Sequence, residues 1–227
     1  MTRAIPEPNK GIKTMNVTIF GATGRVGSEC LRQCIAKGYT VTVLARSPDK
    51  LPQGMHDKAA ILKGDGLVYE DVASALNENT DAVLFAVGVD EKTSPENLCT
   101  NVTRNILTAM REKGVKRLVW CGGGSNLLPE DTVGFGARFV RWYAEHFLRL
   151  RHFDKENQLA LLNRNTDIEW IGVRPLQIKA GPQTGVYRVG FDKFSGLSSI
   201  SFADCAHCMI EQLADDTWLH KAPIIQY

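Results

Sequence analysis

The chain has 227 residues, of which 44% are hydrophobic and 23% are charged. This composition excludes wholesale disorder, collagen and coiled coil, and the length predicts one globular α/β domain. The 27 basic and 25 acidic residues leave a net charge of +2 with no basic run, so we expect no nucleic-acid partner. No stretch approaches the run of about 18 apolar residues that a membrane span needs, so we expect no membrane partner.

The chain begins with a polar segment, residues 1–14, which contains two prolines and lacks the apolar core of a signal peptide. We interpret it as a flexible N-terminal arm and predict one domain over residues 15–227. That domain opens with an apolar strand, Asn16–Phe20, then a glycine turn and a helix that Gly38 stops. A second strand follows at Thr40–Ala45. Together these elements have the size of one βαβ unit.

The β-α alternation continues to the end of the chain. Hydrophobic periodicity predicts strands over 60–63, 81–88, 117–121 and 168–173, and helices over 72–76, 96–113, 135–163 and 201–213, the third of them continuous or broken once. Repeated alternation of this kind is typical of a parallel sheet that is covered on both faces. We therefore predict a single doubly wound, Rossmann-type α/β domain.

The turn after the first strand carries three glycines, Gly21, Gly24 and Gly27, at the spacing G-x-x-G-x-x-G. Glycines let the backbone turn sharply and approach a pyrophosphate, and the N-terminus of the following helix supplies N–H groups and a positive dipole end. This position between a strand and a helix predicts a dinucleotide site. The alternative interpretation is a plain tight turn.

The end of the second strand indicates which dinucleotide is bound. An NAD site usually has Asp or Glu there, and this chain has Arg46 and Ser47 instead. An arginine can form paired hydrogen bonds to a 2′-phosphate, and Arg25 in the glycine loop points to the same region. We therefore predict NADP(H) as the cofactor. The alternative is that Arg46 is a solvated surface residue.

Several short motifs support a family resemblance. They are the glycine loop, Gly64-Asp65, Ala86-Val87-Gly88, Val173-Arg174-Pro175 and Ile200-Ser201-Phe202-Ala203-Asp204. Together they resemble the atypical short-chain dehydrogenase/reductases with NmrA-like NAD(P)-binding domains, and most of all the branch of biliverdin reductase B, or flavin reductase. The resemblance covers nearly the whole chain after Thr14. It is specific for fold and cofactor and much less so for substrate.

The resemblance implies a set of cofactor contacts. The residues expected at the pyrophosphate are Gly21, Thr23, Gly24, Arg25, Val26 and Gly27. Those expected at the 2′-phosphate and adenosine are Arg46, Ser47, Asp65, Gly66, Ala86, Val87 and Gly88. Those expected near the nicotinamide are Cys121, Gly122, Gly123, Pro175 and Leu176. Segments 122–163 and 175–200 would form the substrate region.

The usual catalytic motif of short-chain dehydrogenases, Tyr-x-x-x-Lys, is missing. No tyrosine in the chain has Lys four residues later, and the matching place holds Arg151 and Lys155. Lys155 either bonds the nicotinamide ribose or is a charged residue on a helix surface. Ser125, shortly after the strand 117–121, either bonds a substrate carbonyl or caps a turn. We therefore expect hydride transfer to an electron-poor acceptor, for which solvent can supply the proton.

Aromatic residues recur at helical spacing after residue 134. They are Phe135, Phe139, Trp142, Tyr143 and Phe147. They would form either a lid over a flat substrate or a core-packing stripe, and helical stripes more often pack in the core. We expect packing.

Cysteine and histidine positions give no metal signal. Cys205 and Cys208 have C-x-x-C spacing, but they lie in a helical pattern without a second pair. The histidines show no ligand spacing with acidic residues, so we expect no metal. The six scattered cysteines indicate reduced, buried thiols and a cytoplasmic location.

These patterns favour an NADPH-dependent reductase of a conjugated small molecule such as a flavin, quinone or tetrapyrrole. Two alternatives stay open: an NmrA-like sensor that binds NADP(H) without turnover, and a non-redox isomerase or cyclase that retains the dinucleotide fold. The resemblance implies a monomer, and a dimer through the helix at 135–147 is the alternative.

Overall fold

The computed structural model, which describes residues 14–192, 194–195 and 198–227, is built around an eight-stranded sheet. Nearly all of the predicted arm, residues 1–13, lies outside the described residues. The strands of the sheet are β1 (Asn16–Phe20), β2 (Thr40–Ala45), β3 (Ala60–Lys63), β4 (Ala82–Phe85), β5 (Arg117–Cys121), β6 (Glu169–Pro175), β8 (Arg188–Gly190) and β10 (Ile224–Gln226). Two short strands, β7 (Ile178–Lys179) and β9 (Ile200–Ser201), form a separate parallel pair.

The sheet has the order β3-β2-β1-β4-β5-β6-β10-β8, and all neighbouring strands are parallel except the last pair. The predicted α/β fold with a doubly wound sheet is therefore confirmed, and an antiparallel edge strand is added to it. Neither β8 nor β10 was predicted. Both are only three residues long. Strand β10 pairs with β6 across about fifty residues and β8 pairs with β10 across about 36, which local periodicity does not reveal.

Helices cover both faces of the sheet, as the alternation predicts. The helices are α1 (Arg25–Ala36), α2 (Tyr69–Ala75), α3 (Leu98–Lys113), α4 (Phe135–Phe147), α5 (Arg149–Asn163) and α6 (Phe202–Glu211). Helices α1 and α6 pack together over one face, and α2, α3 and α5 cover the other. None of the described helices is long and apolar enough to cross a membrane.

Local signals place several helix ends correctly. Gly38 has φ +78° just after α1, and Gly114 has φ +72° just after α3, the left-handed conformation that ends many helices. At the start of α6, Ser201 Oγ accepts a hydrogen bond from the Asp204 backbone N–H, as expected for a helix cap. The predicted helical stretch 135–163 breaks once, at Leu148, where φ is −127° and ψ is 45°.

Helix α4 departs from the expectation of core packing. Its aromatic residues are exposed, from 46% for Tyr143 to 85% for Phe135. Its buried residues are the small Ala137 and Ala144. The helix packs on α5 rather than on the sheet, so a narrow alanine face suffices for the contact and the aromatic side chains remain outside. The core-packing interpretation of the stripe is wrong.

The direction of winding reverses between β1 and β4. The chain passes from β1 outward to β2 and β3, then returns to β4 on the other side of β1. A crevice opens at the carboxyl ends of two strands at such a switch point, and ligands of open α/β sheets bind there. The glycine loop follows β1 and Ala86 follows β4, so both lie at this crevice.

Candidate active site

The glycine loop lies directly against the end of β4. Gly21 has φ +88°, and a Cβ atom there would come within 2.6 Å of the Ala86 carbonyl carbon and the Val87 nitrogen. A Cβ on Gly27 would come within 2.1 Å of the Gly21 carbonyl oxygen. Glycine at these two positions therefore lets the loop close and lets α1 approach it. No side chain caps the start of α1, so its first N–H groups face the crevice without a side-chain partner.

A cavity of about 360 Å³, hereafter the smaller cavity, extends from the glycine loop toward β2 and β3. Most of the residues predicted for the nucleotide meet here. The predicted residues that line it are Gly21, Thr23, Gly24, Arg46, Asp65, Gly66, Ala86, Val87 and Gly88. Ser47 and Gly27 are outside this lining, and Gly27 is buried behind the loop. The structure thus joins segments that are up to 67 residues apart in the chain.

Sequence reasoning missed part of this lining. Lys50 lies beside Arg46 at the cavity, because a short 3₁₀ turn over Pro48–Lys50 folds the chain back after β2. Leu98 and Val102, from the start of α3, supply apolar wall. The signal for Lys50 was present, since it follows Arg46 by four residues across a proline turn. In the part of the chain that the structure describes, the Arg46 and Lys50 side chains form no ion pair.

A second cavity of about 630 Å³, hereafter the larger cavity, adjoins the smaller one across Gly24 and residues 86–88. Its lining contains the residues predicted near the nicotinamide and several that were not. The lining includes Arg25, Val26, Cys121, Gly122, Gly123, Ser125, Val140, Tyr143, Ala144, Leu148, Arg151, Lys155, Pro175, Leu176 and Phe202. Its walls are therefore mostly apolar, with cations at its edges.

The loop after β5 runs along the end of β6. Gly122 and Gly124 donate backbone hydrogen bonds to the carbonyls of Val173 and Pro175, at 2.9 and 3.0 Å. A Cβ on Gly124 would lie 2.4 Å from the Pro175 oxygen. The glycine run therefore permits a close approach of backbone to backbone, and this brings the residues after β5 and after β6 to one cavity.

Lys155 is buried, with 5% of its surface exposed, so the interpretation as a helix-surface residue is wrong. Its Nζ donates to the Cys121 carbonyl and to Gln158 Oε1, both at 3.0 Å, and to the Val87 carbonyl at 3.4 Å. It also lies over the Phe85 ring, 5.0 Å from the centroid. The lysine therefore ties the end of β4 to the end of β5 and brings a positive charge to the larger cavity.

Arg151 occupies the place of the missing tyrosine. Its guanidinium donates to the Val89 carbonyl through Nη2 at 2.9 Å, and the side chain lines the larger cavity. A guanidinium is always charged and has no proton to exchange near neutral pH. Arg151 can bind an anionic group, but it cannot serve as the acid that tyrosine provides in enzymes with the Tyr-x-x-x-Lys motif.

Ser125 reaches the larger cavity and contacts a histidine that sequence reasoning did not select. Its Oγ lies 3.2 Å from His152 Nδ1, and the His152 ring is buried. Burial lowers the pKa of His152, while Glu156 and Glu145 oppose that shift. His152 lies between Arg151 and Lys155 of the matched motif, so its place in the sequence was a usable signal.

A buried ion pair holds the loop that carries Ser125. Arg174 Nη2 bonds Asp131 Oδ1 at 2.7 Å and Nη1 bonds Asp131 Oδ2 at 2.9 Å, and neither side chain is exposed. Arg174 also donates to the backbone carbonyls of Asn126 and Ala222. Paired hydrogen bonds of this kind have defined geometry as well as strength. The arginine that precedes Pro175 therefore anchors one wall of the larger cavity.

Two of the described cysteines have pKa values shifted in opposite directions. Cys121 lines the larger cavity, and the thiol of Cys205 and the ammonium of Lys155 lower the pKa of Cys121 against the effect of burial. Burial raises the pKa of Cys208 to about 12. Within the described ranges, no cluster of three or more His, Cys, Asp or Glu residues could hold a metal ion.

The two cavities together fit a dinucleotide. A glycine loop whose backbone packs against residues 86 and 87 lies at their junction, and the helix N-terminus that follows it has no side-chain cap. Arg46 and Lys50, which form no ion pair with any other described residue, border the smaller cavity. These are the backbone and charge features that a pyrophosphate and a further phosphate require. The larger cavity leaves room beyond them for a second molecule.

Comparisons with known proteins agree with this geometry. The model of a family described as NAD(P)H-binding matches residues 21–216. The uncharacterized protein YwnB of Bacillus subtilis is 27% identical over 205 residues, which make up 88% of this chain and 92% of that protein.

Two solved structures show the same fold. A candidate epimerase from Bacteroides thetaiotaomicron is 25% identical, with 95% of this chain and 98% of that chain covered and a TM-score of 0.78. ChuY, an anaerobillin reductase from Escherichia coli O157:H7, is 15% identical, with 93% and 97% covered and a TM-score of 0.73. At such identities the likeness establishes the architecture.

Proposed function

The chain belongs to the NAD(P)H-binding family, and from this premise we propose that it is an NADPH-dependent oxidoreductase that transfers hydride to a conjugated small molecule. The observation that carries the proposal is the pair of adjoining cavities, one bordered by cations and the other walled by apolar side chains. The first suits a phosphorylated adenosine, and the second suits a flat acceptor.

The cofactor would lie across the glycine loop. Gly21, Gly24 and the N-terminus of α1 would hold the pyrophosphate, and residues 86–88 would flank the neighbouring ribose. When bound, the cofactor supplies the hydride, and the protein supplies binding, orientation and electrostatics. Arg46 and Lys50 favour NADP(H), because two cations attract a 2′-phosphate and no carboxylate within the described lining takes the place that an NAD site uses on β2.

The acceptor would occupy the larger cavity. Tyr143, Leu176 and Phe202 offer apolar surfaces to a planar ring system, and Arg25 and Arg151 can pair with its acidic substituents. A conjugated, electron-poor acceptor such as a flavin, quinone or tetrapyrrole suits a site without the usual tyrosine acid. ChuY, which shares the fold, is named as an anaerobillin reductase, and this supports reductase chemistry on such a scaffold.

The test is the oxidation of NADPH in the presence of a panel of flavins, quinones and linear tetrapyrroles. An Arg46→Ala variant should raise the KM for NADPH by about ten- to a hundredfold, since a hydrogen bond to a charged group contributes about 1.5–3 kcal/mol. The KM for NADH should barely change. Arg164→Ala, which removes an exposed arginine at the opposite edge of the sheet, is the matched control.

An equal rise of KM for both cofactors in Arg46→Ala would contradict the NADP(H) assignment. Absence of acceptor-dependent oxidation with the whole panel would contradict the reductase proposal.

A redox sensor is the second candidate function. The observation that favours it is the exposed aromatic surface of α4, which borders the larger cavity through Tyr143 and could transmit the cofactor state to a partner protein. Tight NADPH binding without turnover would favour this candidate over the oxidoreductase.

A further inference from the structure

A hydroxyl, an imidazole and two carboxylates form a row from the larger cavity to the protein surface. Ser125 Oγ lies 3.2 Å from His152 Nδ1, and His152 Nε2 lies 3.3 Å from Glu156 Oε1 and 3.8 Å from Glu145 Oε1. The His152 side chain is 0% exposed, whereas those of Glu145 and Glu156 are 32% and 36% exposed. The histidine therefore lies between a cavity hydroxyl and carboxylates that reach solvent, and the carboxylates stand at ion-pair distance from Nε2 without a hydrogen bond to it.

The neighbouring amide indicates which ring nitrogen carries the proton. Asn126 Nδ2 donates to the His152 carbonyl at 2.9 Å, which sets the orientation of the amide, and it also lies 3.3 Å from His152 Nδ1. An amide nitrogen is a donor, so Nδ1 must be an acceptor in the neutral ring. The proton is then on Nε2, facing the carboxylates, and the Ser125 hydroxyl donates to Nδ1.

The surroundings of His152 hold charges of both signs. Glu156 lies on its own helix, and Glu145 and Arg141 face it from α4. The loop after β5 contributes Ser125 and Asn126, which are uncharged. Arg141 Nε bonds Glu145 at 2.7 Å and lowers the pKa of Glu145, and Arg141 Nη2 lies 3.6 Å from Glu156, so Arg141 contacts both carboxylates beside the imidazole. They stabilise an imidazolium, while burial opposes it.

We propose that Ser125 and His152 form the proton relay of this site, with the negative charges of Glu156 and Glu145 on the Nε2 side of the ring. The proposal rests on the oxidoreductase function proposed above. In the imidazolium form, Nδ1–H donates to Ser125 Oγ and the Ser125 hydroxyl donates to a heteroatom of the acceptor.

The relay supplies the proton that accompanies the transfer of hydride to the acceptor. The Ser125 O–H bond breaks as a new bond forms between that proton and the acceptor heteroatom, and Ser125 takes the Nδ1 proton in its place. His152 is left neutral, with its remaining proton on Nε2. Its Nδ1 regains a proton, through Ser125, from a hydronium ion of the solvent that reaches the cavity after the product leaves, and one water molecule is released. Ser125 touches the acceptor, and His152 acts through Ser125 as a positioning residue that also stores the proton.

The relay predicts a pH dependence with a definite sign. Reduction consumes a proton from the imidazolium, and burial lowers the pKa of His152 from its ordinary value near 6.5. The protonated fraction therefore falls as the pH rises through that lowered pKa. The kcat/KM for the acceptor should rise toward acidic pH and decline toward neutral pH.

The experiment compares His152→Gln and Ser125→Ala with the wild-type protein over a range of pH. Both variants should lose roughly a hundredfold in kcat/KM at acidic pH, and both should lose the pH dependence. NADPH affinity, followed by fluorescence, should stay within about twofold, because the row contacts the acceptor side of the site. His146→Gln is the matched control, since His146 is exposed on α4 and bonds only the Trp142 carbonyl among its described hydrogen bonds.

A second measurement does not depend on turnover. Nuclear magnetic resonance of the histidine ring nitrogens should show His152 as the Nε2–H tautomer. The Ser125→Ala substitution should shift the resonance of His152 Nδ1. If His152→Gln does not fold, Ser125→Ala and this measurement still decide the matter.

The outcomes separate the two proposals. A wild-type pH dependence that persists in His152→Gln, or an Nδ1–H tautomer, would overturn the relay and leave the oxidoreductase intact. Failure of the wild-type protein to oxidise NADPH with every acceptor would overturn both.

Discussion

The smaller cavity is bounded largely by backbone, whereas the larger cavity is bounded by side chains that distant elements bring together. At the smaller cavity, the absence of a Cβ on Gly21 lets the loop pack against the Ala86 backbone, and the start of α1 offers its N–H groups. At the larger cavity, Ser125, Lys155 and Arg174 depend on buried partners from other elements. A site for an invariant ligand can be built from turn geometry, while a site for a variable substrate depends on tertiary packing.

The largest expected effect comes from a substitution at the larger cavity, whose walls depend on contacts between side chains. Asp131→Ala leaves the Arg174 guanidinium buried without its carboxylate, and breaking such a pair costs about 3–5 kcal/mol of unfolding free energy. Denaturant unfolding measures the loss. Asp216→Ala is the control, because it also removes a carboxylate from an ion pair with arginine, and the Asp216 side chain is 74% exposed. Equal stability of the two variants would show that the buried pair is not the anchor of the loop.

A substitution in the glycine loop of the smaller cavity should have a smaller effect on stability and a larger effect on NADPH binding. Gly21→Ala forces a side chain into φ +88° and against the Ala86 backbone, which costs about 1–3 kcal/mol. NADPH affinity should fall by at least about tenfold, the equivalent of about 1.4 kcal/mol. Gly134→Ala is the matched control, since its Cβ would meet only contacts of 3.5 Å or longer. Unchanged NADPH binding in Gly21→Ala would contradict the cradle.

The smallest expected effect comes from a substitution in the exposed aromatic stripe of α4. Phe139 is 53% exposed, so Phe139→Ser should change the unfolding free energy by no more than about 0.5 kcal/mol. Leu162→Ser, at a position on α5 with 0% exposure, should cost several times more. Thermal unfolding of the two variants checks this difference. A large loss in Phe139→Ser would restore the core-packing interpretation of the stripe.

The fold and most of the lining of the smaller cavity were predictable because their signals are local. Strands Asn16–Phe20, Thr40–Ala45 and Arg117–Cys121 were predicted with the observed bounds, and Gly38 and Gly114 end helices through their own backbone conformation. Other bounds moved by two or three residues: one helix begins at Leu98 rather than residue 96, and another at Tyr69 rather than residue 72. Fraying ends carry little sequence signal.

The larger cavity was less predictable because its contacts join distant segments. His152 meets Ser125 across 27 residues, and Arg174 meets Asp131 across 43. Lysine is usually found on the surface of a protein. Only contacts with the ends of β4 and β5 bury the side chain of Lys155. The aromatic stripe of α4 has the period of a core helix, and whether such a helix packs on a sheet or on one neighbour is a tertiary property.

The anchor at Arg174 has a consequence for the order in which the molecule is assembled during synthesis. The strands and the loop that border the smaller cavity lie mostly within residues 16–88, so they are synthesised early. Arg174 reaches its full set of partners only when Ala222 has been made and β10 has paired with β6. The residues of the glycine loop therefore leave the ribosome well before those that complete the anchor of the wall around Ser125.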